Sequence, residues 1–327
     1  MPNLRWGLIS TADINRRLIP AIRASERGEL TAVCSRTPEK ANSYAAKWDI
    51  PYAFGSYQEM LDSDTVDVVY NSLPNHLHAE WSIKAMEAGK YVLCEKPFVI
   101  TMDEMDEMTA VSERTGFKLA EAFMYRHHPQ TKIVGEWVQS GRLGEIRLVR
   151  ATFNATLGDP GNVRYNPDWG GGALWDVGIY PVSYCQYIMG EAPQEVLGSQ
   201  WLGETGVDIH FYGQMAYSQD RYAQISCSFA APFYTQTEIY GSKGRLVSTR
   251  PFVTMEHGRQ LTFYPEKGDP QEIPVPEKEL YLGEVEDMHA AILDGEPNYL
   301  TLAETRNHVR TALALYESAE KGRVVEL

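Results

Sequence analysis

Two short stretches of this chain carry side chains whose types and spacing could do chemistry. In Asp176-Val177-Gly178-Ile179-Tyr180 a carboxyl and a phenol stand four residues apart. If the segment from Gly172 onward is helical, both lie on one face and can point into one cleft; a core tyrosine with a satisfied hydroxyl is the plainer alternative. In "YVLCEKPFVI", residues 91–100, an apolar run is interrupted by Glu95, Lys96 and Pro97. From those three residues alone the interruption reads as a strand-terminating turn with a surface ion pair. Histidines pair up at His76/His78 and His127/His128, but spacings of two residues and of one do not place two imidazoles on one helical face. Cys34, Cys94, Cys185 and Cys227 form no CxxC pair and no His/Cys cluster at metal-ligand spacing. No metal is expected, and the thiols read as reduced and mostly buried.

Elements must position these groups, and the chain is long enough to supply them. Its 327 residues fit two domains, at roughly 100–200 residues per domain. Hydrophobic residues make up 43% and charged residues 23%, as in folded globular proteins. The net charge of −14 disfavours nucleic acid and anionic membrane surfaces, which attract basic patches. No long apolar run could cross a membrane, and "MPNLRWGLIS" lacks the basic segment and apolar core of a signal peptide. A cytoplasmic protein is expected.

Over the first 120 or so residues, strand-like and helical runs alternate. "LRWGLIS", "ELTAVCS", "VDVVYNS" and "YVLCEK" are strand-like. "DINRRLIPAIRAS", "PEKANSYAAKW" with Pro38 in its first turn, and "LHAEWSIKAMEAGK" stopped by Gly89 are helical. Alternation of this kind implies right-handed crossovers and a doubly wound parallel sheet. Beyond "GFKLAEAFMYRHHP", strand-like runs follow one another with turn residues between them, which suggests one large, mainly antiparallel sheet. Two helical segments close the chain, the second with Thr301 as its cap and Glu304 three residues on. The expected domains are 1–122 for dinucleotide binding and 123–327 for substrate binding and oligomerisation, with the C-terminal helix a candidate to pack back on the first.

Ligands of doubly wound sheets sit beyond the carboxyl ends of the strands. The first such loop, Ser10-Thr11-Ala12-Asp13-Ile14, lacks the glycines of a dinucleotide fingerprint. Its small residues still let backbone approach a pyrophosphate at a helix N-terminus, although an ordinary tight turn would read the same. The second strand ends Cys34-Ser35-Arg36-Thr37, without the acid that would accept hydrogen bonds from a ribose 2′-hydroxyl. A guanidinium binds a 2′-phosphate instead, so NADP(H) is favoured over NAD(H), with a solvated arginine as the alternative.

"YNSLPNHLHAEWSIKAMEAGKYVLCEKP", "EAFMYRHHPQ" and "GGGALWDVGIYPVSY" together resemble the signature stretches of the Gfo/Idh/MocA (glucose-fructose oxidoreductase / inositol dehydrogenase) family. Tyr180, where many relatives carry His, is similar to the subgroup of NADP-dependent xylose dehydrogenase and dimeric dihydrodiol dehydrogenase. The resemblance implies a Rossmann-type α/β domain followed by an α+β domain. It also implies that Glu95-Lys96-Pro97 sets Lys96 beside the nicotinamide, and that Asn71, Leu73, Pro74, Asn75 and His78 line the cofactor, with Leu73 replacing the usual Thr. Arg126 matches a position near cofactor and substrate, with a surface ion pair as its alternative. Tyr125, Tyr165, Trp169 and Trp175 could form an aromatic wall for a sugar ring, though aromatics at such spacings are often core.

Oxidising an alcohol removes a hydride from carbon and a proton from oxygen, and the nicotinamide takes only the hydride. A phenol with a pKa near ~10 is a poor base at neutral pH, but a nearby ammonium favours the phenolate. Tyr180 is therefore assigned as general acid/base, Lys96 as its electrostatic partner and donor to the substrate oxygen, and Asp176 as the group that orients the lysine or a substrate hydroxyl, with either Lys96 or Tyr180 able to hold the proton in flight. The expected activity is NADP-dependent interconversion of hydroxyl and carbonyl on a pyranose sugar or cyclic polyol, first as an aldose 1-dehydrogenase. A trans-dihydrodiol dehydrogenase or ketosugar reductase is the alternative within the class, and a dinucleotide-binding sensor the alternative outside it. A homodimer or homotetramer through the C-terminal sheet is expected.

Overall fold

Near-continuous apolar runs at the start of the chain become strands buried on both faces. The computed structural model describes residues 3–159, 161–253 and 260–327. Strands β1 (Leu4–Leu8), β2 (Gly28–Cys34), β3 (Tyr52–Phe54), β4 (Val68–Asn71), β5 (Tyr91–Glu95) and β6 (Leu119–Ala122) form a six-stranded sheet in the order β3-β2-β1-β4-β5-β6. Every neighbouring pair is parallel. Such strands need cover on both sides, and Trp6, Leu8, Val68, Val69, Val92 and Leu93 are all at most 1% exposed. Strand order reverses between β1 and β4, so the carboxyl ends of those strands open on the crevice where doubly wound sheets take their ligands.

The connecting helices are α1 (Asn15–Ala24), α2 (Pro38–Trp48), α3 (Tyr57–Leu61), α4 (His78–Glu87) and α5 (Met102–Thr115). Local chemistry sets their limits. Pro38 opens α2 behind the Thr37 cap, and Thr101 with Glu104 forms a capping box for α5, which ends at Gly116 in the left-handed region.

The second sheet follows α6 (Pro129–Gln139). It contains β7 (Ile146–Asn154), then, beyond α7 (Ile179–Met189), β8 (Glu195–Leu202), β9 (Asp208–Tyr217), β10 (Arg221–Ser228), β11 (Tyr234–Gly241), β12 (Gly244–Thr249), β13 (Leu261–Pro265) and β14 (Gln271–Glu272). With the last strand, β15 (Val325–Glu326), its order is β14-β13-β12-β11-β7-β10-β9-β8-β15. Within this sheet, only the β7–β10 pair is parallel among the described strands. Alternation along β8 buries Val196 and exposes Leu197, as expected for a sheet covered on one face. The open face carries Leu197, Trp201, Tyr212, Tyr222 and Tyr234, each at least 43% exposed.

Helices α8 (Leu282–His289) and α9 (Leu302–Lys321) complete the chain. Thr301 and Glu304 cap α9 reciprocally, as the sequence suggests. The chain divides into two units, Met1–His127 with Glu279–Thr305 and His128–Lys278 with Arg306–Leu327. The sequence-based division, 1–122 and 123–327, keeps residues 279–305 with the second domain, whereas the structure groups them with the first. The reason is long-range packing: His289 on α8 accepts the Trp6 indole N–H at 3.0 Å and meets the Ser25 hydroxyl at 3.1 Å. Burial pushes this imidazole down to about 4, so it packs as a neutral ring.

Candidate active site

In the first unit the candidate groups lie just beyond strand ends. After β1, the Ser10 and Ser72 hydroxyls meet at 2.8 Å and Ser72 donates to Asn15 Oδ1 at 2.7 Å. The Asn15 amide returns to the Ser10 carbonyl at 2.7 Å, and Ser10 Oγ accepts the Ala12 N–H. This buried ring of side chains ties the β1 and β4 loops and holds a tight turn where a dinucleotide fingerprint would use glycines. Helix α1 begins with no acidic residue in its first turn, although Asp13 precedes it and pairs with Arg16 at 3.1 Å. Its N-terminal field suits an anion.

At the end of β2, Ser35 is buried and Arg36 exposed, while the Thr37 hydroxyl is taken by the α2 cap. No carboxylate stands among Cys34–Thr37. Beyond β4, Asn71 is fully buried, donating to the His78 carbonyl and Ser82 Oγ and accepting from the Leu73 N–H. The His78 ring is 1% exposed and sits between the carbonyls of Leu73 and Pro97 at 2.8 and 2.9 Å. Burial lowers its pKa. Both residues thus brace the loop from inside, leaving half-buried Pro74 and Asn75 as its outer members.

Glu95 at the end of β5 accepts from the Tyr70 hydroxyl and from the Lys96 N–H. Lys96 is half-buried and its bond to Pro97 is cis. Arg126, matched to a position near cofactor and substrate, is 2% exposed and donates to Glu304 Oε1 at 2.8 Å, so the ion pair given as its alternative forms with the guanidinium buried. Burial raises the Glu304 carboxyl, but the Arg126 charge together with the hydrogen bonds from Arg126 and Thr301 turns the net shift downward. Tyr125, fully buried, packs edge-on to Phe123.

In the second unit, the helix bearing the carboxyl–phenol pair does not begin as a regular α-helix. Leu174–Gly178 form a π-helical turn that runs into α7, so Asp176 lies in the π turn and Tyr180 in the α-helix. Such turns concentrate at functional sites. Asp176 Oδ2 accepts from Arg164 Nε at 2.6 Å. Tyr180 is 5% exposed, with its ring against Phe153 and Phe252 at 5.4 and 5.6 Å. Of the aromatics considered for a sugar wall, Trp175 is buried against Tyr316, Tyr165 donates its hydroxyl to the Leu157 carbonyl, and Trp169 is 38% exposed.

Two residues absent from the sequence-based site stand out. Arg164 is a lone arginine in an irregular stretch, and nothing in its spacing marks it. Asp208, 2% exposed, accepts the Leu174 N–H and the Tyr316 hydroxyl, each at 2.8 Å; an acid opening an apolar strand was its one sequence signal. A cavity of about 650 Å³ in this unit is lined by Tyr187, Arg147 and Arg221 and contains none of the site residues. Among the described residues, no three His, Cys, Asp or Glu side chains group to hold a metal, and no helix is long and apolar enough to cross a membrane.

Residues 4–123 match the family profile described as "Oxidoreductase family, NAD-binding Rossmann fold", and residues 132–247 match the GFO/IDH/MocA C-terminal domain. D-xylose 1-dehydrogenase (NADP(+)) 2 of Haloferax volcanii is 35% identical over 99% of this chain and 100% of its own length. Trans-1,2-dihydrobenzene-1,2-diol dehydrogenase of Danio rerio is 33% identical over 74% of this chain and 73% of its own. The crystal structure of a 3-ketoreductase from Actinomadura kijaniata in complex with NADP and TDP-benzene matches with a TM-score of 0.91 at 29% identity, covering 97% of this chain and 98% of that one. The chain therefore belongs to the GFO/IDH/MocA family of NAD(P)-dependent oxidoreductases.

Proposed function

We propose that this enzyme uses NADP(H) to interconvert a hydroxyl and a carbonyl on a pyranose sugar or related cyclic polyol, with aldose 1-dehydrogenation as the first activity to test. The observation that carries this reading is the set of three groups suited to the proton chemistry of alcohol oxidation: Lys96 just beyond β5 of the dinucleotide sheet, and Asp176 with Tyr180 on one helix. The 35% identity to a xylose dehydrogenase over nearly the whole chain supports the sugar class.

In this reading the loop from Ser10 to Ile14 and the start of α1 hold the pyrophosphate, Ser35 and Arg36 take the 2′-phosphate, and Pro74, Asn75 and Glu95 border the cofactor. NADP+ supplies the hydride acceptor. The protein handles the proton: Lys96 donates to the substrate oxygen, Tyr180 accepts its proton, and Asp176, steered by Arg164, orients Lys96 or a neighbouring hydroxyl. Of the aromatics considered for a sugar wall, Trp169 is the most exposed and is the one assigned to stack on a sugar ring. The exposed apolar and aromatic side chains of the second sheet support pairing of two copies through that face. Four free, buried thiols fit a reducing compartment such as the cytoplasm.

Nicotinamide absorbance followed with purified enzyme, NADP+ or NAD+ and a panel of aldoses, inositols and cyclic diols tests the reading. Turnover of an aldose with preference for NADP+ is expected. Turnover of a cyclic diol alone, or only of a ketosugar with NADPH, would move the substrate to the dihydrodiol or ketoreductase class, each represented among the similar proteins. NADPH binding without turnover of any of these would overturn the catalytic reading in favour of a sensor.

A further inference from the structure

We infer that Asp208 and Tyr316 are a positioning pair that fixes the start of the helix carrying Asp176 and Tyr180, and thereby the aim of both groups. The inference rests on the catalytic reading above for its functional half; its structural half stands on geometry within the second unit.

The first turn of a helix leaves backbone N–H groups without intrahelical partners, and a side chain next to it in sequence usually caps them. Here Ala173 stands at the cap position and contributes no side-chain hydrogen bond. The acceptor comes from 34 residues away: Asp208, at the start of β9, takes the Leu174 N–H on Oδ2 at 2.8 Å. Its other oxygen takes the Tyr316 hydroxyl from α9, also at 2.8 Å. With both oxygens engaged, the carboxylate cannot swing without breaking one bond or the other.

The backbone beside it is shaped to that carboxylate. Gly172 adopts φ +128°, and a Cβ there would lie 2.1 Å from Asp208 Oδ1 and 2.8 Å from the Tyr316 hydroxyl. Gly172 in turn donates its N–H to the Arg164 carbonyl at 3.0 Å and accepts the Asp176 N–H at 3.1 Å. Arg164 closes the circuit through its Nε–Asp176 contact of 2.6 Å. The far side of the turn is equally tight, since a Cβ on Gly178 would lie 2.7 Å from Cys227 Sγ. A π turn is rare and is used as a single turn, and here these contacts from outside the helix hold its register.

The test compares Asp208→Ala, Asp208→Asn and Tyr316→Phe in the full chain. Amide hydrogen exchange is read over residues 173–180 without ligand, and kcat, KM and NADPH Kd are measured on the same preparations. Asp208→Ala should lower kcat by about 100-fold, the scale of a displaced catalytic group, with KM and Kd changing by less than about 3-fold, and should speed exchange at 173–180 but not across the sheet. Asn keeps an acceptor of the same shape, so Asp208→Asn should recover at least about 10-fold of the lost kcat and most of the protection. Tyr316→Phe should fall between the two. Should the alanine variant fail to fold, the other two decide by the same readouts.

Unchanged kcat and unchanged local exchange in these variants would overturn the inference, as would exchange that rises uniformly through the second unit. Loss of local protection in variants of an enzyme whose Lys96→Met and Tyr180→Phe forms remain fully active would overturn the catalytic reading while leaving the structural lock intact.

Discussion

In the first unit, each group assigned to the cofactor lies within a few residues of a strand end, in the segments beyond β1, β2, β4, β5 and β6. In the second, the helix bearing Asp176 and Tyr180 is held by Arg164, Asp208 and Tyr316, contributed by an irregular stretch, a strand and the last helix. A parallel sheet delivers its loops to one edge by topology alone, so the cofactor half has a generic architecture with local adjustments such as the Ser10–Ser72–Asn15 ring. The second half has no such edge, and a helix with an irregular first turn needs side chains from elsewhere to hold it. Damage to the first half should therefore alter one function at a time, and damage to the second should propagate along the helix.

The sharpest way to break this comparison is Lys96→Met. It should lower kcat by about 10³-fold or more, as expected for removing a donor aimed at the reacting oxygen, while NADPH Kd by fluorescence titration stays within about 3-fold. Comparable losses in both would mean that the first half is not separable. Gly172→Ala comes next: with a Cβ forced against Asp208, stability should fall by about 2–4 kcal/mol in denaturant unfolding, and activity should fall with it. Wild-type values of both would show that the second unit relaxes at no cost.

Arg36→Ala should weaken NADPH by about 10–30-fold, or roughly 1.5–2 kcal/mol, and leave NADH nearly unchanged. Equal losses would remove the 2′-phosphate contact. The smallest effect concerns pH. Burial pushes Asp208 up to about 6 against the Leu174 and Tyr316 hydrogen bonds, with Cys227 and Asp176 the other nearby ionisable groups. A raised folded-state pKa contributes stability that is complete below the unfolded value of about 3.9 and is lost as pH rises through about 6. Wild-type Tm should therefore decline between pH 4.5 and 7 by a few degrees more than that of Asp208→Asn; identical slopes would refute the assignment.

Much of the first half was legible in advance because its signals are local. Pro38 behind Thr37, Gly89 after α4 and the reciprocal pair Thr301–Glu304 each end or begin an element within a few residues. The assignment of Lys96 rests on its combination with two other stretches, since a charged turn after a strand is common. The roles of Asn71 and His78 were less so: the pattern placed them along the cofactor, while their hydrogen bonds turn inward. Tyr125 and Trp175 illustrate the same ambiguity, because a sugar-stacking ring and a core ring look alike until packing places them.

Periodicity and turn residues, read within a few positions, determined from sequence alone that a parallel α/β sheet precedes a mainly antiparallel one; the loops proposed for the dinucleotide and the carboxyl, amine and phenol proposed for the reaction rest on strand-end position and on the resemblance carried by three stretches together. Tertiary structure alone decided that residues 279–305 join the first unit through His289 and Trp6, that a ring of side chains replaces the missing glycines, and that Asp208 and Tyr316 hold the helix of Asp176 and Tyr180. Those contacts join residues 34 to 283 positions apart, and no local pattern encodes which distant side chain will satisfy a buried donor once the chain has packed.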